Sequence, residues 1–197
     1  MATVLVFHHA LGRTEGILEF ARRLEEAGHR VIVPDLFDGL LFASVDEGVA
    51  HAESTGFEAI IDRGVAAAAE VTGQFVVAGF SLGAMAAQKV AQSGSGSVEG
   101  AVLYHSAVPP EFFGSPWPAG LPLQIHITPG DPWAEEDIEV ARELVGTVGA
   151  MVFEYPGSGH LVADPTSDDH DPATADLMVE RTLTFLSAIP RRTDPVG

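Results

Sequence analysis

Two rhythms of apolar residues alternate along this chain. Continuous apolar runs occupy residues 3–7 (Thr3-Val4-Leu5-Val6-Phe7), 30–33, 75–80, 98–104, 123–128 and 150–155. Between them, apolar side chains recur every three or four positions. The runs predict strands covered on both faces, and the spaced stretches predict helices packed on those faces. Residues 13–27 are one such stretch, with Ile17, Leu18, Ala21 and Leu24 facing one way and Gly28 as the stop; others lie at 58–71, 83–92, 137–148 and about 173–189.

Two segments keep neither rhythm. Residues 36–56 mix Phe37, Leu40, Leu41 and Phe42 with Asp38, Gly39, Asp46 and Gly48, which predicts an irregular excursion near a site. Residues 109–122 are rich in proline and aromatics. The run Ser93-Gly94-Ser95-Gly96-Ser97 is too short to separate two cores and predicts a loop. The alternation as a whole calls for an α/β fold of three layers, α/β/α, around a mostly parallel, doubly wound sheet.

Composition narrows this picture. A length of 197 residues with 46% hydrophobic content suits a single domain over 1–190 with a loose tail at 191–197. There is no cysteine, so disulfides, thiolate metal sites and a cysteine nucleophile are excluded. No apolar run approaches the roughly 18 residues of a membrane span, and the chain enters its first strand without a basic segment or cleavage site, so a cytoplasmic protein is expected. The formal charge is −18 and Lys89 is the only lysine. Such a surface repels nucleic acid and anionic membrane, leaving a small molecule as the expected partner of a monomer or homodimer.

The candidate chemistry sits where strands end. Gly79-Phe80-Ser81-Leu82-Gly83 follows one apolar run and opens a helical stretch. This is the G-x-S-x-G turn that lifts a serine hydroxyl above a sheet edge, beside a helix N-terminus able to face negative charge. Serine needs a base, and an imidazole base needs an acceptor that fixes its tautomer. Asp131 ends the fifth run and His160 sits in the Gly-rich loop after the sixth, so Ser81, Asp131 and His160 follow three separate strands in the order nucleophile, acid, base. Asp137, and Glu135 or Glu136, compete with Asp131 for the acid's place, although the position of Asp137 suggests the cap of the next helix.

An oxyanion needs two donors. Leu82 N–H is one candidate and Ala10 N–H, in His8-His9-Ala10-Leu11-Gly12, is the other. His126 falls inside a strand and reads as a core residue. A metal held by His9, His105 and His160 finds no recognised spacing, so neither a metal nor any other cofactor is expected.

Together these residues resemble the dienelactone hydrolase family of the α/β-hydrolase superfamily. The resemblance runs through the first strand and its His-rich loop, residues 27–37, the elbow at 79–83, Gly130-Asp131-Pro132-Trp133 and Tyr155-Pro156-Gly157-Ser158-Gly159-His160. It implies an α/β-hydrolase fold, a triad at Ser81, Asp131 and His160, and oxyanion donors at Ala10 and Leu82. Three departures stand out. The founding enzymes resemble cysteine hydrolases, and Ser81 stands in that place. His9 stands where they carry a glutamate. Leu161-Val162-Ala163-Asp164 stands where they carry an arginine for a substrate carboxylate. An aspartate there would repel that carboxylate, so dienelactone itself is not the expected substrate.

The expected function is cleavage of a small uncharged ester or lactone through an acyl-enzyme. His9, Phe37, His105 and Trp117, with Phe42 and Phe113, are the candidate walls of its pocket. A non-catalytic binding or scaffold protein on the same fold is the other reading. The distance between His160 Nε2 and Ser81 Oγ discriminates the two.

Overall fold

The computed structural model describes residues 1–94 and 96–189; Ser95, within the loop expected at 93–97, and the tail expected at 191–197 lie outside the described residues. The six apolar runs form six strands: β1 (Thr3–Phe7), β2 (Arg30–Ile32), β3 (Phe75–Phe80), β4 (Val98–Tyr104), β5 (Leu123–Ile127) and β6 (Met151–Glu154). They make one sheet in the order β2-β1-β3-β4-β5-β6, parallel throughout. Strand side chains alternate between faces. Val4, Val6, Val76, Ala78, Phe80, Val102 and Tyr104 face α1 (Glu15–Glu26) and α6 (Pro172–Ala188). Leu5, Phe7, Val77, Leu103, Ile125 and Ile127 face α3 (Phe57–Ala69), α4 (Leu82–Gln92) and α5 (Asp137–Val148). This is the expected three-layer α/β/α architecture.

The excursion at 36–56 is corrected by the structure: its second half is a helix, α2 (Val45–Thr55). The reason it lacks apolar rhythm is that its buried residues are Gly48 and Ala52, too small to mark a stripe. Its start is nonetheless well made. Ser44 accepts the Glu47 N–H, and Glu47 Oε2 accepts the Ala43 N–H, a close variant of the reciprocal cap spelled S-x-x-E. Among the described residues no helix is long and apolar enough to cross a membrane.

The chain leaves β1 for β2 on one side, then returns to β3 on the other. The crevice for a ligand in such a sheet opens at the carboxyl ends of the two strands where this reversal occurs. Here those ends are Phe7 and Phe80, so the His8–Gly12 turn and Ser81 stand beside one another by topology alone.

Candidate active site

Ser81 sits at φ 51°, ψ −116°, a left-handed backbone that side chains rarely adopt and that costs on the order of 1–3 kcal/mol. Its neighbours show why the motif needs glycine. A Cβ on Gly79 would stand 2.1 Å from Gly83 O, and one on Gly83 would stand 2.5 Å from both Phe7 O and His8 O. The tight elbow also brings β1's end against α4. Ser81 N–H donates to Tyr104 O at 2.7 Å, which fixes the turn to β4.

The structure brings Ser81, His160 and Asp131 together. Ser81 Oγ lies 2.7 Å from His160 Nε2, and His160 Nδ1 lies 2.5 Å from Asp131 Oδ2. With Nδ1 donating to the carboxylate, Nε2 is left to accept the hydroxyl proton. Asp131 is held by its own loop, because Trp133 N–H donates to its Oδ1 at 2.9 Å. His160 N–H in turn donates to Asp169 Oδ2 at 2.9 Å. A hydroxyl, an imidazole and a carboxylate in series can move a proton off the serine and hold the charge that results.

Asp137 does not join this series. The helix α5 is capped at Glu136, and Asp137 Oδ2 instead accepts the Ala107 N–H at 3.2 Å, with the Ser106 hydroxyl as a further donor. The expected capping role is thereby corrected: Asp137 ties the loop after β4 to α5. Burial raises its carboxyl, and those two donors offset part of that rise.

The two expected oxyanion donors lie in the residue after the serine and in the turn after β1. Leu82 N–H opens α4, ahead of the first intrahelical acceptor. In the turn after β1, Leu11 N–H donates to His9 Nδ1 at 3.2 Å and Gly12 N–H to His9 O at 3.0 Å, while Ala10 N–H has no acceptor among the described residues. The turn is boxed in by backbone. A Cβ on Gly48 of α2 would stand 1.8 Å from Ala10 O, and one on Gly12 would stand 2.4 Å from Leu40 O.

The remaining candidates are placed as follows. His9 is fully buried: Nε2 donates to Asp164 Oδ2 at 2.7 Å and Nδ1 accepts from Leu11, so the ring has no nitrogen left for a metal or a substrate. His8 accepts the Leu36 N–H through Nε2 at 2.9 Å and donates to His9 O through Nδ1; burial brings its pKa down to about 4. Phe37 and Trp117 are packed into the core rather than lining an open wall, Phe37 against His8, Phe42 and His51, and Trp117 with its indole N–H on Leu121 O. His126 is a core residue between Tyr155 and Gln124. His105, at φ 63° after β4, is fully buried 5.8 Å from the His160 ring, and neither of its nitrogens has a partner among the described residues.

Two of the departures noted in the sequence meet one another. His9 and Asp164 form one buried pair, and the Asp164 carboxylate also takes the Thr14 hydroxyl at 2.6 Å and, on Oδ1, the Thr166 N–H and hydroxyl at 2.7 and 2.6 Å. Burial alone would raise this carboxyl; its four donors, His9 foremost, outweigh that and hold it below the usual carboxylate range. Asp164 is therefore enclosed but still ionised; it keeps its charge and meets four donors in place of a substrate. Apolar side chains also face outward beside the site. Trp133, 44% exposed, lies with its ring 6.2 Å from that of His160, and Leu40 and Leu41, 48% and 62% exposed, rest against Gly12.

The profile of the dienelactone hydrolase family matches residues 1–189. Among solved structures, a dienelactone hydrolase-like promiscuous phosphotriesterase from metagenomic libraries is similar, with 19% identity, a TM-score of 0.76 and coverage of 96% of this chain and 87% of that one. The dienelactone hydrolase of Anabaena variabilis aligns over 97% and 88% at 15% identity and a TM-score of 0.72. A carboxylesterase of Bacillus cereus aligns over 93% and 88% at 18% identity and a TM-score of 0.55. No curated protein matches the chain. With the profile spanning β1 to the end of α6 and the sheet shared with these enzymes, the chain belongs to the dienelactone hydrolase family of α/β-hydrolases.

Proposed function

We propose that this hydrolase is a serine esterase that cleaves a small uncharged ester or lactone through an acyl-enzyme. The observation that carries the reading is His160, set between Ser81 Oγ at 2.7 Å and Asp131 Oδ2 at 2.5 Å. Ser81 Oγ attacks the carbonyl carbon, and its proton passes to His160 Nε2. The carbonyl oxygen takes the electron pair and is received by the N–H groups of Ala10 and Leu82. As the carbonyl reforms, the leaving alkoxide takes the proton from His160. Water then repeats the sequence on the acyl group and frees Ser81. Asp131 stays ionised throughout and holds the imidazole in the tautomer that accepts the serine proton. The apolar rim of Trp133, Leu40 and Leu41 and the net charge of −18 support an uncharged substrate with apolar groups over an anionic one.

The test is a panel of short p-nitrophenyl esters and lactones, with a fluorophosphonate as covalent probe. Ser81→Ala is expected to remove labelling and to lower ester turnover by about 10⁴-fold or more, with the melting temperature little changed. A wild-type Ser81 left unlabelled, with no ester turned over, overturns the reading in favour of a non-catalytic binding protein.

A further inference from the structure

The turn that presents Ala10 N–H is held from an unusual distance. Three atoms of His9 are used: Nδ1 accepts from Leu11, O accepts from Gly12 and from His8 Nδ1, and Nε2 donates to Asp164. Its ring and carbonyl consume the two N–H groups after Ala10 and leave Ala10's own unspent. Asp164 lies four residues beyond His160 on the same loop and is itself fixed to the start of α1 through Thr14. Gly16 in α1 makes room for it, since a Cβ there would stand 1.6 Å from Asp164 Oδ1.

We infer that His9 and Asp164 are positioning residues that lock the Ala10 N–H onto the developing oxyanion and tie it to the loop carrying His160. This inference rests on the serine esterase reading. A donor displaced by a few tenths of an ångström still binds an ester, yet it loses the contact made only when charge develops on oxygen. Asp164→Asn keeps only one acceptor oxygen: turned to His9 and Thr14 it sets the amide NH2 against the Thr166 N–H, and turned the other way it faces the His9 N–H with a donor. To accept from it, His9 must take the other tautomer, which sets Nδ1–H against Leu11 N–H, two donors in apposition. His9→Gln keeps an amide N–H for Asp164 but removes the acceptor for Leu11.

The experiment measures p-nitrophenyl acetate hydrolysis per fluorophosphonate-titrated site, with inhibition by a short alkyl trifluoromethyl ketone, whose serine adduct carries an oxyanion. In both variants kcat is expected to fall by about 10²-fold and the ketone to bind weaker by a similar factor, with KM within roughly threefold of wild type. A purely structural pair would lower the melting temperature and leave these per-site values alone. Either variant, folded, that keeps kcat and ketone affinity within roughly threefold of wild type overturns the inference and leaves the esterase reading standing. Nitrogen-15 spectra of the wild-type histidines add an arm independent of variant folding: His9 protonated on Nε2 supports the inference, and His9 protonated on Nδ1 overturns it. A wild type whose Ser81 is never labelled removes the esterase reading and this inference with it.

Discussion

One loop supplies a member to each of two histidine–aspartate pairs, and the pairs point their rings in opposite senses. His160 turns Nδ1 to Asp131 and offers Nε2 to the Ser81 hydroxyl; His9 turns Nε2 to Asp164, and its Nδ1 is closed off by Leu11 N–H. Asp131 divides its oxygens between one imidazole and the Trp133 N–H, whereas Asp164 gathers four donors. The same two residue types thus make a proton relay in one place and a clamp in the other. What separates them is whether the second ring nitrogen meets a group that can give up its proton. A backbone N–H cannot at neutral pH, and a serine attacking a carbonyl can.

The sharpest way to break this comparison is to treat the two carboxylates alike. Asp131→Asn leaves His160 in a tautomer that presents N–H to the serine, and kcat for p-nitrophenyl acetate is expected to fall by about 10⁴-fold. The expected loss for Asp164→Asn is about a hundredfold smaller than that, because it displaces one oxyanion donor and leaves the relay intact. Equal losses from the two variants, measured per titrated site, would erase the distinction between relay and clamp.

Acid stability is the next largest effect, and it belongs to buried imidazoles outside the relay. Burial keeps His8 neutral down to about pH 4 and His126 down to about pH 3, and it lowers His9 as well. The unfolded chain binds these protons near pH 6.5. Between 6.5 and 4 the unfolded state therefore holds more protons, and stability falls as pH is lowered. At about 1.4 kcal/mol per unit, His8 alone contributes a loss on the order of 3 kcal/mol across that window. Urea unfolding at pH 7 and pH 4.5 checks this. His8→Asn, which retains an amide donor for His9 O and does not titrate, is expected to flatten the slope.

How far the sequence could have revealed this depends on what each feature is made of. The strands were legible because a parallel strand buried on both faces must be apolar throughout, and Val4 to Phe7 and Phe75 to Phe80 meet that demand. Ser81, Asp131 and His160 were legible as residues at strand ends, a rule of topology. Helix α2 was hidden because glycine and alanine make its buried side, and only Ser44 and Glu47 signalled its start. The pairing of His9 with Asp164 was hidden more deeply. The two lie 155 residues apart and are joined by side-chain contacts that no spacing encodes. Phe37 and Trp117 misled for the opposite reason, since aromatic residues near a site read alike whether they line it or fill the core beneath it.

Gly16→Ala presses on the clamp without touching its polar atoms. The added methyl would overlap Asp164 Oδ1, so either α1 shifts or the carboxylate leaves its donors. A destabilisation of about 1–3 kcal/mol is expected, since the contact is with a side chain already held by three residues. Thermal melting reads this. Because the methyl pushes on Asp164 and not on Asp131, kcat is expected to drop no further than in Asp164→Asn.

The smallest effect separates the clamp from the helix that packs over it. Helix α2 presses Gly48 against Ala10 O, so it too contacts the oxyanion turn. Ser44→Ala removes the hydroxyl that accepts Glu47 N–H and is expected to cost about 1 kcal/mol. For a chain of this size, that lowers the melting temperature by roughly 2–4 °C. If His9 and Asp164 hold the turn, the loosened first turn of α2 leaves Ala10 N–H where it was, and kcat stays within about twofold of wild type. A loss of kcat matching that of Asp164→Asn would transfer the positioning role to α2, because the cap shares no hydrogen bond with His9 or Asp164 and reaches the turn through Gly48 on Ala10 O and Phe42 N–H on Leu11 O.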